Sequence, residues 1–274
     1  IIDAAEPDIT KNYILRIWVH NNGTAQTNLL NKKFSAKLKI DGVVVEYTPE
    51  SCFEVATGEV VSKWFGGNSI YNESKMKNVI IGYDESCGKN VVIPKTISGI
   101  EVVGVDGNES FTEKGIERII FSENIIGIGA AAVESYDLTY NNLKHVTLPE
   151  NIKGIGANTF AYNEIETVYI PESNYKWLDY WTFSDNNLKS VVLNVQFVDI
   201  HAFNNNPLEN IVVMNSVNDL IDSFGSGGFN NNIFTSLELP TSICCIYDYE
   251  EHNNIFRGNK KLTEIIVRGK TSLD

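Results

Sequence analysis

Acidic side chains cluster near the end of the sequence, in the segment IYDYEEHNNIF at residues 246–256. Asp248, Glu250 and Glu251 are of the residue types that hold a hard cation, because such ions prefer carboxylate oxygens as ligands. The segment lacks the glycine-anchored spacing of a calcium-binding loop, so a solvated acidic loop is the default interpretation. We therefore predict no metal site and keep these three residues as the weak candidates.

Motifs for nucleophilic, metal-assisted or phosphate chemistry are absent from the sequence: it contains no H-E-x-x-H, G-x-S-x-G or phosphate-binding glycine loop. His145 and His201 have no fixed cysteine or carboxylate partner and are predicted to lie on solvated surface. The GSGG segment at residues 225–228 lacks the strand and lysine of a P-loop and is predicted to be a flexible insertion. We expect a non-enzymatic protein without a cofactor.

The charge of the chain restricts its partners. The 274 residues carry a formal net charge of −13, with a pI near 4.8. Nucleic acids and anionic membrane surfaces both require a lysine and arginine footprint, so neither is expected as a partner. No apolar run approaches the ~18–20 residues of a transmembrane helix, and we expect no membrane insertion in this segment.

The elements that position these side chains are internal repeats. Apolar residues recur in the frame apolar-x-x-apolar-x-x-x-x-Phe-x-x-x-x-apolar. Three ungapped copies are Ile152-Ile155-Phe160-Ile165, Tyr175-Leu178-Phe183-Leu188 and Val195-Val198-Phe203-Leu208, and the fourth begins at Ile221. The units are 20–28 residues long, a period typical of solenoids, because one such unit cannot bury its apolar edge alone.

Each frame is followed by a short strand and contains an asparagine-rich turn. The strand blocks, such as Ile165-x-x-Val168-x-Ile170, have period 2 and one inward face. The turns after each phenylalanine carry Asn163, Asn186 and their equivalents at one register. Asparagine tolerates left-handed backbone and hydrogen-bonds its own turn, so we predict that these residues form the corner of every coil.

The outward residues of the strands form a column that is unusually apolar for a solvated surface. Its members are Ile120, Thr147, Tyr169, Val192, Val212, Glu238 and Ile266. An exposed apolar stripe on a repeat protein commonly marks an interface. Thr, Val, Ile and Tyr also suit strands on propensity alone, so both interpretations stay open.

A second aromatic group occurs in the segment YKWLDYWTF. Trp177, Tyr180 and Trp181 lie outside the inward frame. Aromatic rings there could stack on sugar rings or anchor a protein partner. They could equally pack beneath a neighbouring coil, so we keep them as ligand-face candidates beside the apolar column.

The repeats carry a family resemblance. LKHVTLPENIKGIGANTFAYNEIETVYIPE is similar to the leucine-rich repeats of the BspA type, which occur in many bacterial surface proteins. GKNVVIPKTISGIEVVGV resembles the opening repeat of that family, and the likeness covers residues 87–274. It implies a β-rich α/β, right-handed leucine-rich-repeat solenoid of about seven to eight coils over residues 91–274. Leu178 with Asp179, Val198 with Asp199 and Phe224 with Gly225 depart from the family's Ile-Gly pair.

The same family pairs an SCF segment with a later SCG segment, and this chain has SCF at residues 51–53 and SCG at residues 86–88. The resemblance therefore implies a disulfide between Cys52 and Cys87 in an N-terminal cap and linker over residues 51–90. Two buried free thiols are the alternative, because composition does not decide the redox compartment.

The first fifty residues have a different character. YILRIWVH and KFSAKLKI alternate apolar and polar residues and predict two antiparallel strands, a small β-hairpin cap or partial domain over residues 1–50. The stretch YILRIWVHNNGTAQTNLLNKKFSAKLKIDG resembles the end of TasA-like surface and fibre β-sandwich domains of Gram-positive bacteria.

The functional expectation follows from the family resemblance and from the absence of catalytic motifs in the sequence. We expect a secreted or cell-surface, adhesin-like module of a Gram-positive-like bacterium that recognises a protein or a glycan through its repeat face. The alternative is a structural spacer that displays another domain of a larger surface protein.

Overall fold

The structure is a computed structural model that describes residues 48–56, 60–66, 70–76, 78–105, 111–129, 138–171, 177–193, 195, 197–213, 223–225, 227–239, 245–246 and 255–267. The chain divides into two compact units, Ile1–Glu46 and Tyr47–Asp274, and every described residue belongs to the second. The two strands predicted within residues 1–50, and Asp248, Glu250 and Glu251, lie outside the described residues.

The described residues form short strands and turns, with 3₁₀ turns at Glu50–Cys52 and Glu85–Cys87 and no α-helix. In chain order the strands are β1 Phe53–Val55, β2 Val60–Gly66, β3 Ile70–Met76, β4 Val79–Tyr83, β5 Asn90–Val92, β6 Thr96–Ile97, β7 Ile100–Glu101, β8 Gly104–Val105, β9 Arg118–Ile120, β10 Gly127–Ile128, β11 His145–Thr147, β12 Gly154–Ile155, β13 Thr167–Tyr169, β14 Trp177–Leu178, β15 Ser190–Leu193, β16 Phe197–Val198, β17 Asn210–Val213, β18 Ser223–Phe224, β19 Ser236–Leu239, β20 Cys245–Ile246 and β21 Glu264–Val267.

Two sets of parallel strands run from coil to coil. The first set, which we call the strand face, pairs β5 with β9, β11 with β13, β15 with β17, and β19 with β21. The second set consists of the five-residue strand β4 and seven two-residue strands, in the orders β4-β8-β10-β12 and β14-β16-β18-β20. Parallel pairing of each coil with the next confirms the predicted leucine-rich-repeat solenoid. In the part of the chain that the structure describes, the third side of each coil consists of turns.

Departures from the Ile-Gly pair leave the register of the second set unchanged. Leu178 is paired with Val198, Val198 with Phe224, and Phe224 with Ile246. The reason is that the inward apolar residue is kept in each pair, whereas the residue after it varies. The departures therefore change which residue follows the inward apolar residue, and they leave the pairing of each coil with the next one unchanged.

The core is a stack of inward side chains. Ile155, Leu178 and Val198 are fully or almost fully buried, as the repeat frame predicts. The phenylalanine rings of successive coils stack nearly parallel, with centroids 5.3 Å apart for Phe160 and Phe183 and 5.7 Å apart for Phe183 and Phe203. Because each ring covers the next, one coil cannot be removed without exposing an aromatic face.

The predicted corner asparagines are buried, and they bond between coils. Asn186 donates from Nδ2 to the carbonyl oxygen of Phe160 in the preceding coil at 2.9 Å, and its Oδ1 accepts from the backbone N–H of Ile165 at 3.0 Å. The same pattern recurs at Asn163, Asn206 and Asn232. The left-handed residue is the one before each of these asparagines. Of the asparagines in these turns, Asn205 and Asn231 adopt the predicted left-handed backbone, whereas the buried asparagine that follows each of them bonds its own turn, as predicted, and also the neighbouring coil.

The start of the stack is capped by an antiparallel strand and a disulfide. β1 pairs antiparallel with β4, which is the first strand of the second parallel set. Cys52 and Cys87 form a disulfide, with Cα atoms 6.1 Å apart, and this is the pair that the resemblance implied. Residues 51–90 are therefore more than a linker, since they also include the antiparallel hairpin of β2 and β3.

The glycine-rich segment at residues 225–228 packs closely against the preceding coil. A Cβ atom on Gly225 would lie 2.9 Å from the backbone nitrogen of Ile200, and Gly227 has a φ of +68° beside the His201 ring. Gly225, Gly227 and Gly228 are all buried. The prediction of a flexible insertion was wrong for these three residues, because they are packed against the preceding coil: close approach of two backbones requires glycine at Gly225, and Gly227 has a positive φ beside a side chain.

Candidate binding faces

The predicted apolar column lies in register on the strand face. Tyr169 is the direct partner of Thr147 across β11 and β13, and Val192 is the partner of Val212 across β15 and β17. At the two ends, Ile120 is paired with Val92, and Ile266 with Glu238. The structure therefore brings together all the column residues that the sequence analysis named.

Exposure along the column varies with the neighbouring side chains. Val212 is 38% exposed and Ile266 39% exposed, whereas Ile120, Tyr169 and Val192 are half-buried. The Tyr169 hydroxyl lies 3.3 Å from Oε1 of Glu150. A polar column runs two residues earlier on the same strands, where His145 Nδ1 lies 2.7 Å from Thr167 Oγ1. The strand face is thus an apolar stripe beside a polar one.

A groove crosses the strand face between β9 and β11. Its volume is about 1300 Å³, and its wall includes Arg118, Ile120, Lys144, Thr147 and Glu150. This exceeds the ~300–1,000 Å³ typical of small-molecule pockets. The groove connects two of the candidate column residues, and its wall carries both signs of charge.

The turns form a separate face with two columns of left-handed residues. All members have φ between +51° and +80°. The first column consists of Asn158, Trp181, His201 and Gly227, and the second of Glu113, Tyr140, Tyr162, Asp185, Asn205, Asn231 and Gly258. Backbone hydrogen bonds connect successive coils beside the second column, such as Tyr162 N–H to the Ser184 carbonyl at 3.1 Å. The turn face is therefore as regular as the strand face.

Two exposed tyrosines of the turn face were missed in the sequence. Tyr140 is 50% exposed and Tyr162 44% exposed, and their rings stack with centroids 4.6 Å apart. A left-handed conformation costs a residue with a Cβ roughly 1–2 kcal/mol. Asparagine, aspartate and glycine adopt it at lower cost, and they occupy this position in later coils. Aligning the repeat copies on the buried asparagine would have revealed the two tyrosines, because each directly precedes it.

The three predicted aromatic candidates are divided between two elements. Trp177 lies in β14, paired with Phe197 in the second parallel set, and its side chain is outside the description. Tyr180 is half-buried beside Trp181, with ring centroids 6.1 Å apart. Trp181 is 39% exposed and stacks on His201 with centroids 5.3 Å apart. His145 is exposed as predicted, but the solvated surface predicted for His201 was wrong, because this ring is half-buried against Trp181.

A buried carboxyl group lies next to the turn face. Asp179 is 1% exposed, and Asp199 of the next coil is 4% exposed. Burial raises the pKa of Asp179 to about 7, with the Tyr180 hydrogen bond acting against the rise and the negative charge of Asp199 adding to it. Oδ1 accepts from the Tyr180 N–H at 2.7 Å, but Oδ2 has no hydrogen-bond partner.

The described part of the chain contains no group of three or more His, Cys, Asp or Glu side chains placed to hold a metal ion. Nor do the described residues include a helix of the length and apolarity needed to span a bilayer.

Parallel strand pairs, a phenylalanine stack and buried asparagines at every turn define a leucine-rich-repeat solenoid. Residues 106–224 match the family described as BspA type Leucine rich repeat region, in 6 copies. The match identifies residues 106–224 as repeats of that type.

Two solved structures are similar to the chain. One is the T. pallidum Leucine Rich Repeat protein (TpLRR), with 19% identity, a TM-score of 0.43, and coverage of 81% of this chain and 82% of that one. The other is a leucine-rich repeat protein from Bacteroides ovatus, with 18% identity, a TM-score of 0.36, and coverage of 85% and 72%. A search among curated proteins finds no match.

Proposed function

We propose that this chain is a non-enzymatic binding module that recognises a protein through its strand face. The observation that carries the proposal is the registered column of Ile120, Thr147, Tyr169, Val192 and Val212. An apolar stripe of this kind loses contact with water when a partner covers it. The groove between β9 and β11 supports a protein ligand, because its volume is more than a small molecule needs.

Two observations favour a secreted or surface location, which fits this function. BspA-type repeats are typical of bacterial surface proteins. The disulfide between Cys52 and Cys87 is of the kind that persists in oxidising compartments. We therefore propose that the module works outside the cytoplasm, on or near the cell surface.

The second candidate function is a spacer that displays another domain. The continuous bonding from coil to coil favours it, since Asn163, Asn186 and Asn206 each connect two coils through buried hydrogen bonds. A stack held in this way is a stiff support. The spacer needs no ligand on the strand face, and this separates the two candidates.

The test adds charge to one of two neighbouring columns. Tyr169→Asp, Val192→Asp and Val212→Asp together place carboxylates in the apolar column. Thr167→Asp, Ser190→Asp and Asn210→Asp place the same charges in the adjacent polar column of the same strands. Both triple variants are compared with the parent for folding by circular dichroism and for binding to matrix proteins and host cells.

The binding module predicts that only the apolar-column variant loses binding, by at least about tenfold, because it buries unpaired charge in the interface. Equal binding by all three folded proteins, or no binding by the parent, would leave the spacer as the better account.

A further inference from the structure

The last described coil of the stack is open on its outer side. β21 pairs with β19 along one edge, and no described strand lies along its other edge. Ile265 occupies the inward position that Val146, Val191 and Leu237 occupy in earlier coils. Those three side chains are each 2% exposed, whereas Ile265 is 44% exposed. The core of this coil is therefore uncovered in the part of the chain that the structure describes.

The open edge of β21 suits the addition of another strand. An edge strand presents unpaired N–H and C=O groups, which another chain can use for main-chain hydrogen bonds. Ile265 and the 39% exposed Ile266 lie on opposite faces of β21, because side chains alternate along a strand. An added strand would contact both isoleucines and continue the stacking of the coils. In this mode of recognition the main-chain bonds give affinity and the side chains give specificity.

The open coil is basic, although the chain as a whole is acidic. Arg257, Lys260 and Lys261 are exposed, and Glu264 is the one acidic residue in the sequence from 255 to 267. The whole chain carries a formal net charge of −13. The ion pairs among the described residues involve none of these three cations. A negatively charged partner would therefore be complementary to this end of the stack.

Ion pairs between earlier coils indicate where the partner's charge would lie. Lys89 Nζ is 3.6 Å from Oε1 of Glu117, and Lys144 Nζ is 4.0 Å from Oε2 of Glu164. In both pairs the lysine precedes a strand, and the glutamate belongs to the following coil. A strand added after β21 would take the place of a following coil. Acidic residues at its start would then lie near the lysines that precede β21.

We propose that β21 binds an extended acidic segment of a partner protein, which joins the stack as a further strand. Acidic residues at the start of this segment face Lys260 and Lys261, and apolar residues after them cover Ile265. A second copy of this chain fits less well, because the same two lysines precede its own β21. Lysines beside a sheet edge can also prevent pairing with other chains, and that role predicts no binding. The site is separate from the strand face and does not depend on the function proposed for that face.

Fluorescence anisotropy with two synthetic peptides and the whole 274-residue chain tests the site. The acidic probe is EEVTVTV and the basic probe is KKVTVTV, each with an amino-terminal fluorophore and an amidated carboxyl terminus. The acidic probe should bind with a dissociation constant below about 1 mM, and the basic probe should bind at least about tenfold more weakly. Lys260→Glu combined with Lys261→Glu should reverse this preference, because the coil then carries the charge that complements the basic probe.

Lys153→Glu combined with Lys189→Glu is the matched control, because both lysines are exposed in other coils and the net charge changes equally. It should keep the preference for the acidic probe and an affinity within about threefold of the parent. Ile265→Asp should weaken the acidic probe by at least about tenfold, with folding checked by circular dichroism. The proposal is overturned if the acidic probe does not bind at about 1 mM, or if the variant at Lys260 and Lys261 keeps the parent's preference. A parent dimer in sedimentation that Ile265→Asp abolishes would also overturn it, because a second copy would then occupy β21.

Discussion

A carboxyl group with one unpartnered oxygen lies inside the stack at Asp179, in the position that Gly129, Gly156 and Gly225 occupy in three other coils. Burying a charged carboxylate without full hydrogen bonding is unfavourable, so the group takes up a proton more readily than it does in water. The neighbouring Asp199 also raises the pKa of Asp179, because two negative charges in adjacent coils repel. The stability of the repeats around Asp179 should consequently depend on pH.

We expect the protein to be more stable at pH 5 than at pH 8. The folded-state pKa of Asp179 is about 7, above its unfolded value of 3.8. Between these values the folded state binds more protons, so the free energy of unfolding falls as pH rises through the folded pKa. Between pH 5 and pH 8 the free energy of unfolding should fall by at most about 3 kcal/mol, at ~1.4 kcal/mol for each pH unit below the folded pKa. Guanidinium unfolding at both pH values measures it.

Asp179→Asn is the matched variant, because its side-chain oxygen can still accept from Tyr180. It should remove most of the pH dependence and stabilise the protein at pH 8. Asp199→Asn should make the pH dependence smaller and shift it to lower pH values, since the pKa of Asp179 then falls and its charged form is tolerated better. An unchanged pH dependence in Asp179→Asn would contradict the assignment.

The candidate residues were predictable only where their side chains follow the repeat frame. Ile120, Tyr169 and Val212 were found because a period of 2 fixes which strand residues point outward. Tyr140 and Tyr162 were not, because a left-handed φ is a property of the backbone that apolar spacing does not encode. The same holds for Asp179, whose burial depends on the coils on both sides.

At the scale of the element, each turn depends on an asparagine of the following coil. Asn186 donates to the carbonyls of Phe160, Phe183 and Ser184 and accepts from Ile165. Losing the amide leaves the buried Ile165 N–H without an acceptor and without water, whereas the carbonyls of Phe160, Phe183 and Ser184 each keep a second donor. The cost of such a loss exceeds that of breaking an exposed hydrogen bond.

Asn186→Ala is therefore expected to lower the free energy of unfolding by about 1–3 kcal/mol, the cost of one unsatisfied buried group. The measurement is guanidinium unfolding together with amide hydrogen exchange, in which the Ile165 amide should lose protection. Asn187→Ala is the control, because the adjacent Asn187 side chain is exposed. Equal losses in the two variants would show that the amide of Asn186 has no special role.

The strands were the most predictable elements and the turns the least. Alternation in TVYI and SVVL identified β13 and β15, because one face of each is buried. The turn at residues 225–228 was misjudged, since glycine gives the same sequence signal for a loose loop and for close packing. Only the neighbouring coil, with the backbone of Asp199 and Ile200 at contact distance, separates the two cases.

At the scale of the whole molecule, the disulfide acts at one end of the stack. Cys52 precedes β1 and Cys87 follows β4, and 35 residues separate them. An open end of a solenoid exposes the core of its terminal coil, so a cap held by a cross-link protects the first coil from local unfolding. In the chain-entropy account, closing a loop of this length stabilises the folded state by about 3–4 kcal/mol.

Cys52→Ala combined with Cys87→Ala should therefore lower the free energy of unfolding by about 3–4 kcal/mol. Chemical unfolding with and without reductant measures it. Reductant should bring the parent to the value of the double variant and should leave the double variant unchanged. A parent that is insensitive to reductant under unfolding conditions would argue against a stabilising cross-link.

The buried asparagines also set the order in which the coils can complete their hydrogen bonds during synthesis. The Phe160 carbonyl and the Ile165 amide are satisfied by Asn186, which is synthesised after both. At ~5–20 residues per second, a ribosome adds the 21 residues from Ile165 to Asn186 in roughly 1–4 seconds. During that interval the newest coil remains incomplete. We therefore expect each coil to become stably folded only after the next coil has been synthesised, because that coil supplies the asparagine.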